Sequence, residues 1–229
     1  MKISKTNAFT LIELLVVISI IAILASIAVP VFGKAQESAG RTKALASGKQ
    51  IGTACKLFAM DYNGLYPLYT DPDNKTGTAT TSNDILATLI NYCDNNEAIF
   101  TLAKSEYSKR GADGNTTAGS VLESGENAWA YVTGLTDTSN SRYPLLANGF
   151  TPGGVTYTTD DSQKGGLWRG EYAVVIRCDT SGTIEKTIKS GKTTHVKRDD
   201  KPSKNAFEPD PAGETPWLTG SDVKVLNPK

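Results

Sequence analysis

Residues 9–32 hold nineteen apolar side chains among twenty-four, and residues 14–29, LLVVISIIAILASIAV, have only Ser19 and Ser26 as polar members. Taken from Leu11 to Phe32 the run is 22 residues long. As a helix it spans roughly 33 Å, enough for a hydrocarbon core of about 30 Å. A removable secretory signal is one reading, with Lys2 and Lys5 as its charged region and Ser26-Ile27-Ala28 as a small-x-small cleavage site. The run exceeds the roughly 7–15 residues of a signal core, and it contains Glu13, so a retained anchor is favoured. Basic residues do not decide its orientation. Lys2 and Lys5 precede it, while Lys34, Arg41, Lys43 and Lys49 follow it closely.

Glu13 is the informative residue. A carboxylate set toward a membrane interior costs on the order of 3 kcal/mol at mid-helix and less near an end, so such a group pairs with a cation or marks a function. No Lys, Arg or His occurs within the run. A cationic partner must therefore come from another chain or from a newly made N-terminus; otherwise the carboxylate snorkels to the interface or is protonated.

The segment Ala8-Phe9-Thr10-Leu11-Ile12-Glu13-Leu14-Leu15-Val16-Val17, continuing to Pro30, resembles the N-terminal processing signal of type IV pilins and type II secretion pseudopilins. A short basic leader, Phe at the cleavage point, Glu four residues later and Pro near the end of the run occur together. The resemblance implies cleavage by a prepilin peptidase between Ala8 and Phe9, N-methylation of Phe9, and pairing of Glu13 with the Phe9 amine of a neighbouring subunit. Pro30 corresponds to a proline in a stretch that loosens on assembly. The family usually has Gly where this chain has Ala8.

The same resemblance implies a structural subunit rather than an enzyme. Its partners would be copies of itself, other pilin-like subunits and an inner-membrane assembly platform with a separate ATPase. It would sit single-pass in the inner membrane, with a cytoplasmic N-terminus and a periplasmic or extracellular head. A type II secretion pseudopilin is expected, with a type IV or competence pilin, or a ligand-binding module on a pilin stem, as alternatives.

The expected organisation is a leader (1–8), a membrane and filament-core helix (9–32), its continuation (33–61), and an α+β head with a polar tail (62–229). Ile51, Ala54, Cys55 and Phe58 recur at i, i+3, i+4 and i+7, one buried helical stripe. Gly48 and Gly52 extend it and allow a close neighbour. Lys34, Arg41, Lys43, Lys49 and Lys56 read as a solvated face. Asn63-Gly64 and Tyr66-Pro67 end the helix. A second helix is expected from Ile85 to Cys93, capped by Ser82 or Asn83, and a further helical turn or two within 97–107. Strands are expected at 128–135, 143–149 and 171–178, the last forming a hairpin with 183–188 across Asp179-Thr180-Ser181-Gly182. The long helix packing on this small antiparallel sheet gives an α+β, pilin-like fold. The tail, 197–229, reads as loosely wrapped or disordered.

Charge is balanced, with 24 basic and 24 acidic residues, which argues against nucleic-acid binding driven by net charge. No phosphate loop occurs; 74–76 in particular lack the Gly-Lys-Ser/Thr pattern. Cys55, Cys93 and Cys178 permit one disulfide, Cys93–Cys178 by weak preference, or three buried thiols. His195 with a cysteine is a remote nucleophile pair. Neither a catalytic residue nor a cofactor is expected. Asp160-Asp161, Asp199-Asp200 and Glu208-Pro-Asp210 could ligate Ca²⁺, and some major pseudopilins are similar in having a calcium site near their C-terminal loops, but none has the spacing of a known calcium loop. Trp129, Trp168 and Trp217 could stack on carbohydrate, with ordinary packing the favoured reading.

Overall fold

The computed structural model describes residues 10–73, 77, 79–117, 120–220 and 222–229. The leader, Ala8, Phe9 and residues 74–76 lie outside the described residues. The chain divides into two compact units, Met1–Ala39 and Gly40–Lys229. Helix α1 (Leu11–Asp61) contributes residues to both.

In the second unit α1 buries Ala44, Ile51, Ala54, Cys55, Phe58 and Ala59, the stripe expected from the sequence. The glycines on that side are places of contact. A Cβ on Gly48 would stand 2.8 Å from Trp129 Cη2 and 2.9 Å from Ile176 Cγ1, and one on Gly52 would stand 3.0 Å from Ile176 Cγ2. The missing side chains bring helix and sheet to van der Waals distance. The basic face is only partly solvated. Lys34, Lys43 and Lys49 are exposed, whereas the Arg41 guanidinium lies 4.2 Å from the centre of the Tyr172 ring and Lys56 Nζ lies 5.5 Å from that of Tyr66. The helix closes as the Asn-Gly signal predicts. Asn63 and Gly64 take φ of 52° and 80°, and the Gly64 N–H reaches back to the Ala59 carbonyl at 2.8 Å.

The sheet beneath has five strands: β1 (Trp129–Val132), β2 (Pro144–Asn148), β4 (Tyr172–Arg177), β5 (Gly182–Lys186) and β8 (Val225–Leu226). They lie in the order β5-β4-β2-β1-β8, with every neighbouring pair antiparallel. Tyr131 pairs with Leu146 and Leu146 with Ile176, so these side chains share one face. Ile176 is the residue that meets Gly48 and Gly52, which identifies this as the face under α1. The opposite face is built by Ala130, Ala147 and Val175, also buried. The expected β4–β5 hairpin is present. The short strands β3 (Tyr157–Thr158), β6 (Ile188–Ser190) and β7 (Thr193–His195) form a second sheet that the periodicity did not announce.

Two expectations need correction. The second helical segment is a short α2 (Ser82–Leu86) that tightens into a 3₁₀ turn at Ala87–Cys93; apolar residues at i, i+3 and i+4 over two turns fit either period. Its cap is Thr81, whose N–H and hydroxyl both donate to Asp84 Oδ2, at 2.9 and 2.8 Å. Ser82 instead donates to the Trp129 carbonyl at 2.6 Å, and Asn83 donates to the Glu123 carbonyl at 2.8 Å. The further helical turn expected within 97–107 is present as the 3₁₀ turn Glu97–Phe100.

The tail is packed rather than loose. Strand β8 pairs with β1, and Phe207, Trp217 and Leu218 are buried. Its centre is Arg198, fully buried. Nε and Nη2 meet Asp200 Oδ1 and Oδ2 at 2.5 and 2.8 Å, Nη1 meets Asp210 at 3.2 Å, and the guanidinium lies 5.0 Å from the centre of the Trp217 ring. Low apolar content concealed a segment ordered around a paired charge.

Gly48→Ala is expected to lower stability by about 1–2 kcal/mol in denaturant titration, although Ala is the better helix former by about 1 kcal/mol, because Trp129 is buried and tethered. A gain in stability would contradict the close approach. The Arg198 hydrogen bonds hold the Asp200 carboxyl well below the usual carboxylate range. That contribution is complete above the unfolded pKa of about 3.9 and is lost as pH falls below it. Asp200→Asn should therefore melt below the parent at pH 7, with the gap closing progressively under about pH 4. A gap unchanged between pH 7 and pH 2 would refute the pairing.

Candidate functional site

The first unit presents a helix whose apolar side chains are uncovered. From Leu11 to Phe32, fifteen large apolar residues are between 45% and 80% exposed. They recur at consecutive positions, so the helix has no polar side to turn toward water. It is long and apolar enough to cross a membrane. Its two hydroxyls are satisfied inside the helix: Ser19 Oγ donates to the Leu15 carbonyl at 2.8 Å and Ser26 Oγ to the Ile23 carbonyl at 2.7 Å. Such back-bonding is what a hydroxyl needs where water is absent. The helix continues through Pro30. A proline there has no N–H to give, so the Ser26 carbonyl lacks its usual partner in the ladder.

At the N-terminal end, Thr10 and Glu13 form a reciprocal cap. Glu13 Oε2 accepts from the Thr10 N–H at 2.8 Å and from the Thr10 hydroxyl at 2.7 Å, while Thr10 Oγ1 accepts from the Glu13 N–H at 3.2 Å. This is the spacing and chemistry of a capping box. It supplies neutral donors, and among the described residues no cation pairs with Glu13. Ala8 and Phe9, where cleavage and methylation are expected, lie outside the described residues. The local cap was legible as Thr-x-x-Glu but was masked by the stronger question of a charged partner.

The other candidates are distributed differently. Asp160 is engaged by its own turn, accepting from Ser162 and Gln163, and Asp161 lies 3.4 Å from Arg169. Asp199 lies 3.5 Å from Arg177, while Asp200 and Asp210 are taken by Arg198. Glu208 is exposed. All three cysteines are free thiols, which corrects the Cys93–Cys178 preference. Cys55 and Cys178 are buried as small apolar residues, one on α1 and one just after β4. Burial pushes the thiols of Cys93 and Cys178 up to about 12, far from a reactive thiolate. His195 sits in β7, a half-buried strand position. Trp129 and Trp217 are buried packing residues, and Trp168 is half-buried. A further acidic centre, formed by Glu97, Asp113 and Glu126, escaped the sequence reading because its members are far apart in the chain and share no motif.

Residues 3–29 match the family model described as the prokaryotic N-terminal methylation motif. No curated protein and no solved structure matches the chain. The match covers most of the leader, Glu13 and most of the exposed apolar run, so this segment is a prepilin-type signal of the kind carried by pilins and pseudopilins.

Proposed function

We propose that the chain is a structural subunit of a pilin-like filament, most similar to a type II secretion pseudopilin, that assembles through α1. The observation that carries this reading is the coincidence of the methylation motif with a helix apolar on every side. In a bilayer the helix is solvated by lipid tails; in a filament the same surface is covered by equivalent helices. Prepilin peptidase cuts between Ala8 and Phe9, and the new Phe9 amine is methylated. The amine then supplies, from a neighbouring subunit, the cation that Glu13 lacks. Pro30, which leaves the Ser26 carbonyl short of a donor, is where the helix yields as subunits pack. The N-terminus stays cytoplasmic, the head is extracytoplasmic, and a separate platform ATPase powers assembly. The subunit itself performs no chemistry. Loss of protein release on deletion identifies a secretion pseudopilin; loss of surface filaments or twitching identifies a type IV pilin.

Mass analysis of the membrane-extracted protein should show methylated Phe9 as the first residue. An N-terminus at Met1 or Val29 rejects the processing step.

Glu13→Ala removes both the cap and the charge, whereas Glu13→Gln keeps a side chain able to cap and removes the charge alone. Both variants are expected to insert normally and to fail in filament incorporation, scored by crosslinking. Full incorporation of Glu13→Gln would sink the pairing with the Phe9 amine.

A further inference from the structure

Three carboxylates from separate stretches, Glu97, Asp113 and Glu126, each bring one oxygen within 4.8 Å of the others. Glu97 stands at the start of the 3₁₀ turn Glu97–Phe100, and Glu126 lies just before β1. Asp113 is on the loop between them and is exposed, whereas Glu97 is 2% and Glu126 0% exposed.

Burying two carboxylates side by side is costly unless their charge is matched. Hydrogen bonds from the protein match only half of them. Glu97 Oε2 accepts from the N–H groups of Asp113 and Gly114 at 3.1 and 2.7 Å, and Glu126 Oε2 accepts from the Glu123 N–H at 2.6 Å. The remaining oxygens, Glu97 Oε1 and Glu126 Oε1, are buried without a hydrogen-bond partner. Arg110 does not resolve this. Its Nε lies 3.2 Å from Glu126 Oε1 without hydrogen-bonding geometry, and its other nitrogens serve Asp113, at 3.0 Å, and Glu123. Among the described residues Glu97 has no ion-pair partner. One guanidinium thus serves three carboxylates, its approach to Glu126 Oε1 makes no hydrogen bond, and the enclosed Glu97 Oε1 has neither a hydrogen bond nor an ion pair among the described residues.

We propose that Glu97, Asp113 and Glu126 form a site for a hard divalent cation, best suited to Ca²⁺. The donor set is oxygen only, with neither imidazole nor thiolate, which selects Ca²⁺ or Mg²⁺ over transition metals. Three oxygens that all lie within 4.8 Å of one another are close enough to share one ion at ligand distances of about 2.4 Å. Mg²⁺ needs a smaller and more regular octahedron. The cation would clasp the loop preceding β1 to the Glu97 turn, fixing a surface of the head. The site is separate from the C-terminal carboxylates, of which Asp199, Asp200 and Asp210 are engaged by arginines.

The test uses the full-length chain in detergent, stripped with chelator and titrated with CaCl₂ by calorimetry and thermal melting at constant ionic strength. Expected are one ion per chain with millimolar or tighter affinity and a melting point raised by several degrees. Glu97→Gln and Asp113→Asn should each weaken binding about tenfold or more, and Asp160→Asn should leave it unchanged. Asp113 is exposed, and Asn can still accept from the Asn115 N–H, so Asp113→Asn decides the matter if Glu97→Gln does not fold. No heat and no melting shift at 10 mM CaCl₂ would overturn the site, leaving a proton on Glu97 as the balancing charge. Undiminished binding by Asp113→Asn would overturn it as well, and tighter binding of MgCl₂ would overturn the choice of ion.

Discussion

The apolar surface of α1 is the constraint on which the rest of the molecule depends. Fifteen large side chains between Leu11 and Phe32 stand uncovered, and at roughly 25 cal/mol per Å² of apolar area no chain leaves such a surface in water. The same helix, from Ala44 to Ala59, is instead the floor of a conventional core. One continuous element therefore answers to two environments. Its composition changes accordingly, from an uninterrupted apolar run to a stripe repeating every three or four residues.

That change explains what the sequence made legible. A run of 22 residues needs no tertiary context to be recognised, and neither does the stripe Ile51, Ala54, Cys55 and Phe58. The glycines could be read because Gly in a helix is unfavourable without a reason, and Trp129 and Ile176 are that reason. The central strands β1 and β4 were legible because they are rich in aromatic and β-branched residues, and β2 because its short apolar run Leu145–Ala147 is set between turn signals. Strands of two or three residues such as β3, β7 and β8 are fixed by their partners rather than by their own pattern, and periodicity is silent over such lengths.

The least legible features are polar. Arg198 orders the tail through Asp200, Asp210 and Trp217, yet in sequence these residues belong to a stretch rich in Pro, Asp and Lys. Composition counts charges; it cannot show that one guanidinium is buried and satisfied on several sides. The same holds for Glu97 and Glu126, which share no motif in the sequence and are buried close together in the fold. The cap formed by Thr10 and Glu13 was hidden for a different reason: two roles compete for one carboxylate.

That competition bears on how the proposed assembly would be driven. In the separate chain Glu13 Oε2 already holds two donors from Thr10. A neighbour's amine would add to or displace an arrangement that is already adequate, so the free energy available is a difference between two satisfied states rather than the full relief of a stranded charge. On that reading, subunits would wait in the membrane with their carboxylates already capped. In the proposed assembly, association would be an exchange of partners, reversible in principle, with the apolar surface providing the bulk of the hold.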